Sequence, residues 1–539
     1  MLIIWRKILI PFQKFYYDSC NGVSFTPFLY FLQNFPHNIC GDNMSGQTSD
    51  YKKLTLSGNL QEDIALFREI FKKDSVLRVK QIKSRNTYNI DAALIYMDGM
   101  INSEQLNDSV IRPLLTVETP SVCDSIAEYI EKQVLFARDA KRLKNVDKII
   151  EGLLYGEAVL LIDTSEEAVN IDAKGWRTRG ISEPQDERVL QGPREGFDEA
   201  ALLNLAMIRR KLQTPDLCIE MQRLGRRTAT LVYICYLGSL ADEKVIAEVK
   251  RRISKIDIDG VLDSNYITEQ IRDSKYSLFK TCGSTERPDV VAAKLLEGRV
   301  AIVVDGTPVV VTVPYIFSES FQSDEDYYLN FLVSSTGRIL RYICFFIAVS
   351  IPAVFIALTS FHNELLPTTL AIAMEKLRGG VPFSPFTECL IMITVFEILR
   401  ETGVRMQQGL GHALSIVGGL VVGQAAVEAR IISTPMLIVI ALSGICGLTV
   451  PRLRGAVFYL RIIFVLLGSL LGLYGLIAGM AVVLMHIISL SSFGTDYTVS
   501  LRRASLQSLK DSIWRAPWEF MKKRPLFNRN IIRQRGKEK

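Results

Sequence analysis

The chain has 539 residues, a formal net charge of +6 and a mean hydropathy of +0.19. Its length allows two or three folded units in front of an apolar region, and nothing in its charge suggests a nucleic-acid partner. Nine cysteines form no CxxC pair and have no zinc-ligand spacing, and the four histidines do not cluster with Cys or Asp. This pattern argues against a metal site and favours reduced, buried thiols.

The N-terminal segment, residues 1–43, is apolar, aromatic and basic, as its first residues MLIIWRKILIPFQKFYYDSC illustrate. It lacks the apolar core and small-residue cleavage site of a signal peptide. It could be an interfacial anchor, or upstream sequence that is foreign to the natural product. We predict the second, with Met44 as the true start, because globular patterning begins just after it.

From Leu60 onward the pattern is that of an α/β domain. Helical spacing in LQEDIALFREIFKK is followed by a predicted strand at Ala92–Met97 and by helices near Glu104–Leu115 and Cys123–Gln133. The stretch NVDKIIEGLLYG predicts a helix that ends at a glycine, and EAVLLIDTSEEAVNID predicts strand, turn and strand.

The same pattern then recurs along the chain. Leu154–Asp163 (LYGEAVLLID) resembles Leu296–Asp305 (LEGRVAIVVD), 142 residues later, and Leu94–Tyr96 resembles Leu231–Tyr233. We therefore predict two tandem α/β subdomains related by internal duplication. The alternative is that both halves use a common helix-glycine-strand arrangement without shared ancestry.

Between the halves lies a segment rich in Gly, Pro, Arg and Glu, residues 181–198. Its most distinctive part is Gly192, Pro193, Arg194, Glu195, Gly196 and Phe197. A solvated linker is one interpretation. A rigid charged turn that fixes the angle between subdomains, or contacts a membrane or partner, is another. Asp198 is predicted to cap the helix Glu199–Lys211, whose N-terminus could hold an anion. Neither a Walker motif nor a dinucleotide fingerprint accompanies it, which argues against nucleotide binding.

Residues 331–498 contain long apolar runs that predict membrane-spanning helices, since a bilayer core takes roughly 20 helical residues to cross. We predict four crossings: Ile339–Phe361, Gly411–Ala429, Ser433–Val450 and Phe458–Ile488. Glycines in the last run are expected to bend it or to let a neighbouring helix approach closely.

The C-terminal segment Leu501–Lys539 carries 12 Lys and Arg against 3 Asp and Glu. The positive-inside tendency therefore places it in the cytoplasm, and membrane lipid is an expected contact. The α/β region lacks a convincing export signal, so we predict that it is cytoplasmic too. The predicted units are the extension 1–43, subdomains 44–180 and 199–330, linker 181–198, transmembrane domain 331–498 and basic tail 499–539.

The remaining apolar segment, Phe386–Met406, carries charges. At 100° per residue, Thr394, Glu397 and Glu401 share one helix face, and Glu388 lies roughly opposite Glu397. A ring of such faces would favour cations, so these three are pore or gating candidates. Two alternatives stay open: ion pairing with Arg400 and Arg405 on an interfacial helix, and a subunit contact. No catalytic constellation is present, so we predict neither an enzyme nor a cofactor.

Several motifs together resemble the GerA family, the A subunits of nutrient germinant receptors of endospores. They are QGPREGFDEAALLNLAMIRRKL (191–212), IDIDGVLDSNYI (256–267), TERPDVVAAKLLEGRVAIVVDGTPVVVTVP (285–314), QSDEDYY (322–328), ALTSFH (357–362), FEILRETGVR (396–405) and IVGGLVVGQAAVEA (416–429). The resemblance covers about Leu60 to Thr498 and excludes Met1–Asn43.

The resemblance implies a multi-pass subunit in the inner membrane of dormant spores that works with a transporter-like B subunit and a lipoprotein C subunit. It also implies a homo-oligomeric ring whose pore releases cations when the partner binds a nutrient. A non-conducting scaffold of the receptor complex is the main alternative. A secondary transporter comes third, because four crossings are few and paired broken helices are not evident.

The sequence departs from the family pattern at two positions. Ile393 follows Met392 where a Glu is frequent, and Met406-Gln407 follows Arg405 where a Pro is frequent. If the frequent Glu lines the pore, this subunit has one charge fewer there. The departure therefore concerns ion selectivity and not family membership.

Overall fold

A computed structural model describes residues 54–83, 91–116, 126–136, 140–175, 184, 187, 189, 191–405, 421–498 and 511–521. Residues Met1–Leu54 and Thr55–Lys539 are separate units, and only Leu54 of the first is described. The predicted extension 1–43 therefore lies outside the described residues.

The first subdomain is a five-stranded antiparallel sheet in the order β1-β2-β4-β5-β3. Its strands are β1 Leu77–Lys83, β2 Asp91–Met97, β3 Ala140–Leu143, β4 Ala158–Ile162 and β5 Ala168–Ile171, and its longer helices are α1 Leu60–Ile70 and α2 Val146–Leu154. Short helical segments at Ser103–Leu106, Asn107–Ile111, Arg112–Thr116, Ile126–Tyr129 and Ile130–Val134 cover one face. The predicted α/β pattern is confirmed here.

The second subdomain is another five-stranded antiparallel sheet, in the order β6-β7-β9-β10-β8. Its strands are β6 Leu217–Leu224, β7 Thr230–Leu237, β8 Gly283–Thr285, β9 Val300–Val304 and β10 Val310–Val313. Its helices are α3 Ala201–Lys211, α4 Glu243–Ile253, α5 Ser264–Ile271 and α6 Pro288–Leu296. Two 3-10 turns, Phe317–Phe321 and Asp324–Tyr327, lead out of it.

The two subdomains share strand order and also a capping contact. In the first, Asp163 Oδ1 accepts a hydrogen bond from the Leu60 amide at 3.1 Å, at the start of α1. In the second, Asp305 Oδ1 accepts from the Ala201 amide at 3.0 Å, at the start of α3. The N-cap residue of α3 is Ala200, so the prediction of Asp198 as its cap is wrong. The carboxylate arrives from a distant strand end, which local spacing does not reveal.

Strand pairing corrects one of the two predicted sequence matches. Ala92 of β2 pairs with Ile162, and Val232 of β7 pairs with Val304, the residue that corresponds to Ile162 in the longer match. Val232 therefore corresponds to Ala92, and the counterpart of Leu94–Tyr96 is Ile234–Tyr236. The predicted match to Leu231–Tyr233 is out of register, while common ancestry of the halves stays a prediction.

A buried ion pair joins the subdomains. Arg209 of α3 is fully buried and pairs with Asp74, just before β1. The neighbouring Ser75 amide donates to the Ile219 carbonyl of β6 at 2.9 Å. Burial raises the pKa of Asp74, and the charge of Arg209 opposes this effect.

The apolar part consists of helices α7 Phe331–Ser360, α8 Thr368–Arg378, α9 Pro385–Arg405, α10 Thr434–Leu448 and α11 Arg454–Ser489. By length and composition, α7 and the segment Pro451–Ser489 could each cross a membrane. Helix α10 has 15 residues, about 22 Å of helix. The predicted crossing Gly411–Ala429 lies mostly outside the described residues, although 421–428 are helical.

Helix α11 is folded back on itself at Gly472, whose φ of 60° and ψ of −144° are not helical. A Cβ added to Gly479 would lie 2.6 Å from Leu467 Cδ1, although a straight helix would separate these residues by about 18 Å. The predicted single segment Phe458–Ile488 is therefore two arms packed against each other. The expected bend is confirmed at Gly472.

The expected close approach of a neighbouring helix is confirmed at Gly468. A Cβ there would lie 2.9 Å from the Ala353 carbonyl oxygen of α7. Glycine thus lets the first arm of α11 press against the α7 backbone. Hydrophobic side chains of α7, α9, α10 and α11 join in one buried core.

Replacing Gly472 by alanine is expected to lower the free energy of unfolding by about 1–3 kcal/mol, because its backbone conformation is essentially restricted to glycine. A Cβ would also lie 2.8 Å from His362 Cε1. Gly444→Ala in α10 is the matched control, since nothing lies within 4 Å of its added Cβ. Thermal unfolding of the full chain in detergent measures the stability of both variants. Equal stability of Gly472→Ala and Gly444→Ala would contradict the folded-back arms.

Candidate functional site

The three predicted pore candidates lie on α9. The Thr394 side chain is exposed and its hydroxyl donates to the Leu390 carbonyl at 2.8 Å. Glu397 is partly buried and forms an ion pair with Arg400. Glu401 is exposed. The structure thus contains the local pairing of Glu397 that the alternative interpretation expects. Thr394 and Glu401 are exposed with respect to the part of the chain that the structure describes.

Glu388, near the start of α9, is fully buried. Its Oε2 accepts hydrogen bonds from the Ser433 amide at 3.0 Å and the Ser433 hydroxyl at 2.7 Å. Arg378 of α8 lies 3.5 Å from Oε1. A carboxylate at the N-terminus of α10 is favourable because unpaired amides and the helix dipole point toward it. Glu388 therefore ties the starts of α9 and α10 together.

Arg461 of α11 connects helices α7, α10 and α11 next to a proline of α7. Pro352 in α7 has no amide hydrogen, so the Ala348 carbonyl loses its intrahelical partner. Arg461 Nε and the Ser443 hydroxyl replace that partner at 3.0 and 2.7 Å. Periodicity and spacing did not predict this contact. Its available signal was an arginine inside an apolar run, which normally faces a polar partner.

At the start of α7 lies a group of charged residues that we call the helix-start cluster: Asp326, Arg338, Arg341, Asp511 and Arg515. Arg338 is fully buried, and its guanidinium lies 2.7 Å from Asp326 and 2.8 Å from Asp511. Arg341 lies 2.6 Å from Asp326, and Arg515 donates to the Asp326 carbonyl at 2.8 Å. Charge-assisted contacts thus join the second subdomain, α7 and the C-terminal segment.

A second group, the sheet-end cluster, is Glu319, Arg299 and Lys294. The Glu319 carboxylate lies 2.5 Å from Arg299 and 3.3 Å from Lys294, and it accepts from the Ile316 amide at 2.7 Å. Burial alone would raise the pKa of Glu319. The charges of Arg299 and Lys294 outweigh burial, so the pKa lies below its ordinary value.

Arg452, just before α11, connects that helix to the same region. It lies 3.1 Å from Asp324 and 3.5 Å from Glu187, and it donates to the Glu319 carbonyl at 3.2 Å. Burial raises the pKa of Glu187, and the nearby Asp324 carboxylate adds to the effect against the charge of Arg452. The clusters and Arg452 together form what we call the ionic junction.

The signature segment Gly192–Phe197 lies against the second subdomain. Phe197 is buried, and its amide donates to the Glu286 carbonyl at 2.8 Å. Arg287 donates to the Pro193 carbonyl at 3.0 Å. Glu195 pairs with Arg210 and, at 3.0 Å, with Lys211. Arg194 is exposed, Gly196 is buried, and a Cβ on Gly192 would lie 2.7 Å from the Tyr328 ring.

This arrangement is suited to mechanical coupling. The ionic junction connects the α/β sheet end to the starts of α7 and α11 through buried charges, and breaking such pairs is costly. Among the described residues, no group of three or more His, Cys, Asp or Glu is placed to hold a metal. The sequence signal for the junction was the acidic motif QSDEDYY followed by arginines at the start of an apolar helix.

Comparison with known proteins identifies the family. Residues 65–527 match the family described as Bacillus/Clostridium GerA spore germination protein. Spore germination protein KA of Bacillus subtilis (strain 168) is 39% identical over 481 residues, 89% of this chain and 88% of that protein. The uncharacterized membrane protein YfkQ of the same organism is 37% identical over 481 residues, 89% of this chain and 93% of that protein.

A solved structure is also similar to part of this chain. The crystal structure of the N-terminal domain of the A subunit of the Bacillus megaterium spore germinant receptor GerK3 is 30% identical. The aligned region covers 49% of this chain and 98% of the crystallised domain, and the TM-score is 0.38. Because the family match and the similar proteins each cover most of its length, this chain belongs to the GerA family of spore germination proteins.

Proposed function

We propose that this chain is a multi-pass subunit of a nutrient receptor in the inner spore membrane and forms, as a homo-oligomeric ring, a ligand-gated cation channel. One observation carries the channel part. Thr394 and Glu401 lie on an exposed face of α9 inside the apolar part of the chain. In a closed ring this face would recur around an axis, and carboxylates there would favour cations.

We propose the partners that the family resemblance implies: a transporter-like B subunit that holds the nutrient and a lipoprotein C subunit. A ligand that binds one receptor state more tightly by about 2–3 kcal/mol would change the open fraction by tens- to about a hundredfold. The α/β subdomains, which we propose arose by duplication, would serve oligomerisation. The ionic junction would carry their displacement to α7 and α11.

The described contacts support a revised topology with an even number of crossings. Glu388 and Ser433 bring the starts of α9 and α10 together, while Arg400 lies within electrostatic range of Arg454, at the start of α11. Helix α9 thus runs toward the ionic junction.

We propose six crossings instead of four: α7, α9, the segment that includes 421–428, α10 and the two arms of α11. The α/β subdomains and tail would share the cytoplasmic side.

Exchanging the α9 carboxylates tests the channel. Spores carrying Glu397→Gln or Glu401→Gln are expected to release cations at a different rate or with different selectivity, at normal protein level by blot. Glu375→Gln on α8 is a matched control, because Glu375 is also an exposed glutamate of the apolar part. Efflux equal to that of the control in both variants would remove α9 from the conduction path.

A second candidate function is a non-conducting scaffold that assembles the receptor. The ion pair between Glu397 and Arg400 favours it, because that pair removes net charge from the candidate pore face. Subunit stoichiometry separates the two functions. A closed ring that passes monovalent cations in proteoliposomes supports the channel, whereas a monomer bound to one transporter-like partner supports the scaffold.

A further inference from the structure

The C-terminal segment 511–521 exposes large apolar side chains although it is firmly attached. Arg515 is buried and its amide donates to the Ser335 hydroxyl of α7 at 3.1 Å, next to the ion pair of Arg338 and Asp511. The side chains of Ile513, Trp514, Trp518 and Phe520 are 49, 58, 47 and 59% exposed. The attachment therefore leaves these four side chains about half exposed beside the start of α7, although the Trp518 ring also lies 6.1 Å from the Tyr327 ring.

A loop of the second subdomain does the same at the end of α11. The Ser277 hydroxyl lies 3.1 Å from His486 Nε2, and the Phe279 ring packs near that imidazole with centroids 6.2 Å apart. Directly before the first of these anchors, Tyr276 is 98% exposed. The flanking residues Lys275 and Lys280 are exposed cations. This loop is thus fixed to the helix end while its aromatic side chain points away from the protein.

Both aromatic positions continue the exposed apolar surface of the helices. Leu332 and Val333 at the start of α7 are 63 and 60% exposed, and Met485 in the last turns of α11 is 62% exposed. A helix surface of this kind suits lipid, and Trp and Tyr are enriched where such helices leave the hydrocarbon. Residues 501–539, with 12 basic and 3 acidic side chains, add attraction to anionic headgroups.

We propose that Trp514, Trp518 and Tyr276 form an aromatic collar that lies in the headgroup layer of the bilayer, on the side of the α/β subdomains. The proposal rests on the membrane crossings proposed above. The collar holds the ionic junction at a constant depth, because the amphipathic rings resist both withdrawal into water and deeper insertion. A second copy of the chain is the competing occupant of this surface.

Depth-dependent fluorescence quenching tests the collar. The full chain carrying Trp5→Phe and Trp176→Phe retains only Trp514 and Trp518 as tryptophans. It is reconstituted into phosphatidylcholine vesicles whose acyl chains carry bromine either near the headgroup or near the bilayer centre. We expect greater loss of emission with the shallow bromines than with the deep ones, and little loss with aqueous iodide.

Two single-tryptophan variants on a background with all four tryptophans changed to Phe calibrate depth. Phe346→Trp, 58% exposed in mid-α7, reports on the crossing and should respond to deep bromines. Leu262 is 67% exposed and lies near Asp305, at the end of β9 that is farther from Arg299. Leu262→Trp should therefore be quenched by iodide alone.

Outcomes of these measurements are distinct. Iodide quenching of Trp514 and Trp518 without bromine quenching overturns the collar, and shielding from both quenchers overturns it in favour of a contact between copies. If the collar fails but Phe346→Trp is still quenched by deep bromines, the proposed membrane crossings are retained. If it is not, the membrane topology itself is wrong.

Discussion

Asp326→Asn is expected to lower the free energy of unfolding by about 3–5 kcal/mol, the usual result of removing one partner of a buried ion pair. Asp326 is 2% exposed and its carboxylate contacts Arg338 at 2.7 Å and Arg341 at 2.6 Å. Asparagine preserves the shape of the side chain but not its charge. Arg341 would lose its carboxylate partner, and Arg338 would keep only the contact to Asp511.

Thermal unfolding of the full chain in detergent measures this effect. Asp257→Asn is the control, because Asp257 pairs with Arg226 on the surface, where both side chains are more than half exposed. An exposed pair of this kind contributes little to stability, because water screens its charges. Similar losses in the two variants would mean that the helix-start cluster does not stabilise the attachment of α7.

The Asp326 variant also bears on coupling. If the ionic junction transmits displacement from the α/β subdomains, protein that survives folding should respond less to nutrient, at equal protein level in spores. Because Arg338 contacts both Asp326 and Asp511, the loss of the Asp326 charge would also loosen the C-terminal segment. Increased protease access within that segment is the structural sign of this loosening.

Much of the fold was predictable from local patterns. Continuous apolar side chains over Ile339–Phe361 predicted α7, which in the structure begins earlier, at Phe331, after the capping Asn330. The match of Leu154–Asp163 to Leu296–Asp305 found equivalent helix ends and strands. The shorter match failed because buried strands tolerate many interchangeable apolar residues, so three letters do not fix a register.

The site was less predictable, because its contacts join distant parts of the chain. Periodicity placed Thr394, Glu397 and Glu401 on one face, and local spacing anticipated an i,i+3 pair on α9. The pairing of Arg338 with Asp511 spans 173 positions, and the contact of Arg461 with the Ala348 carbonyl spans 113. Such partners become visible only when tertiary structure brings the helices together.

Glu319→Gln is expected to have a comparable effect with a distinctive pH dependence. Glu319 is 3% exposed and neutralises two buried cations, Arg299 at 2.5 Å and Lys294 at 3.3 Å. At neutral pH the variant should lose about 3–5 kcal/mol of unfolding free energy, since it leaves buried charge without its carboxylate. Burial already lowers the pKa of Lys294, so the loss of the opposing charge of Glu319 lowers it further.

The pH dependence follows from the lowered pKa of Glu319 in the folded protein. A carboxylate with a depressed folded pKa contributes stability above its unfolded pKa, 4.5 here, and that contribution is lost as pH falls through the folded value. The stability gap between wild type and Glu319→Gln should therefore narrow as the pH falls below about 4. The free energy of unfolding is measured against pH for the wild type and for Glu319→Gln, each as the full chain in detergent. A gap that widens on acidification would mean that Glu319 is protonated in the folded protein, and that Arg299 is balanced by the nearby Glu297 carboxylate alone.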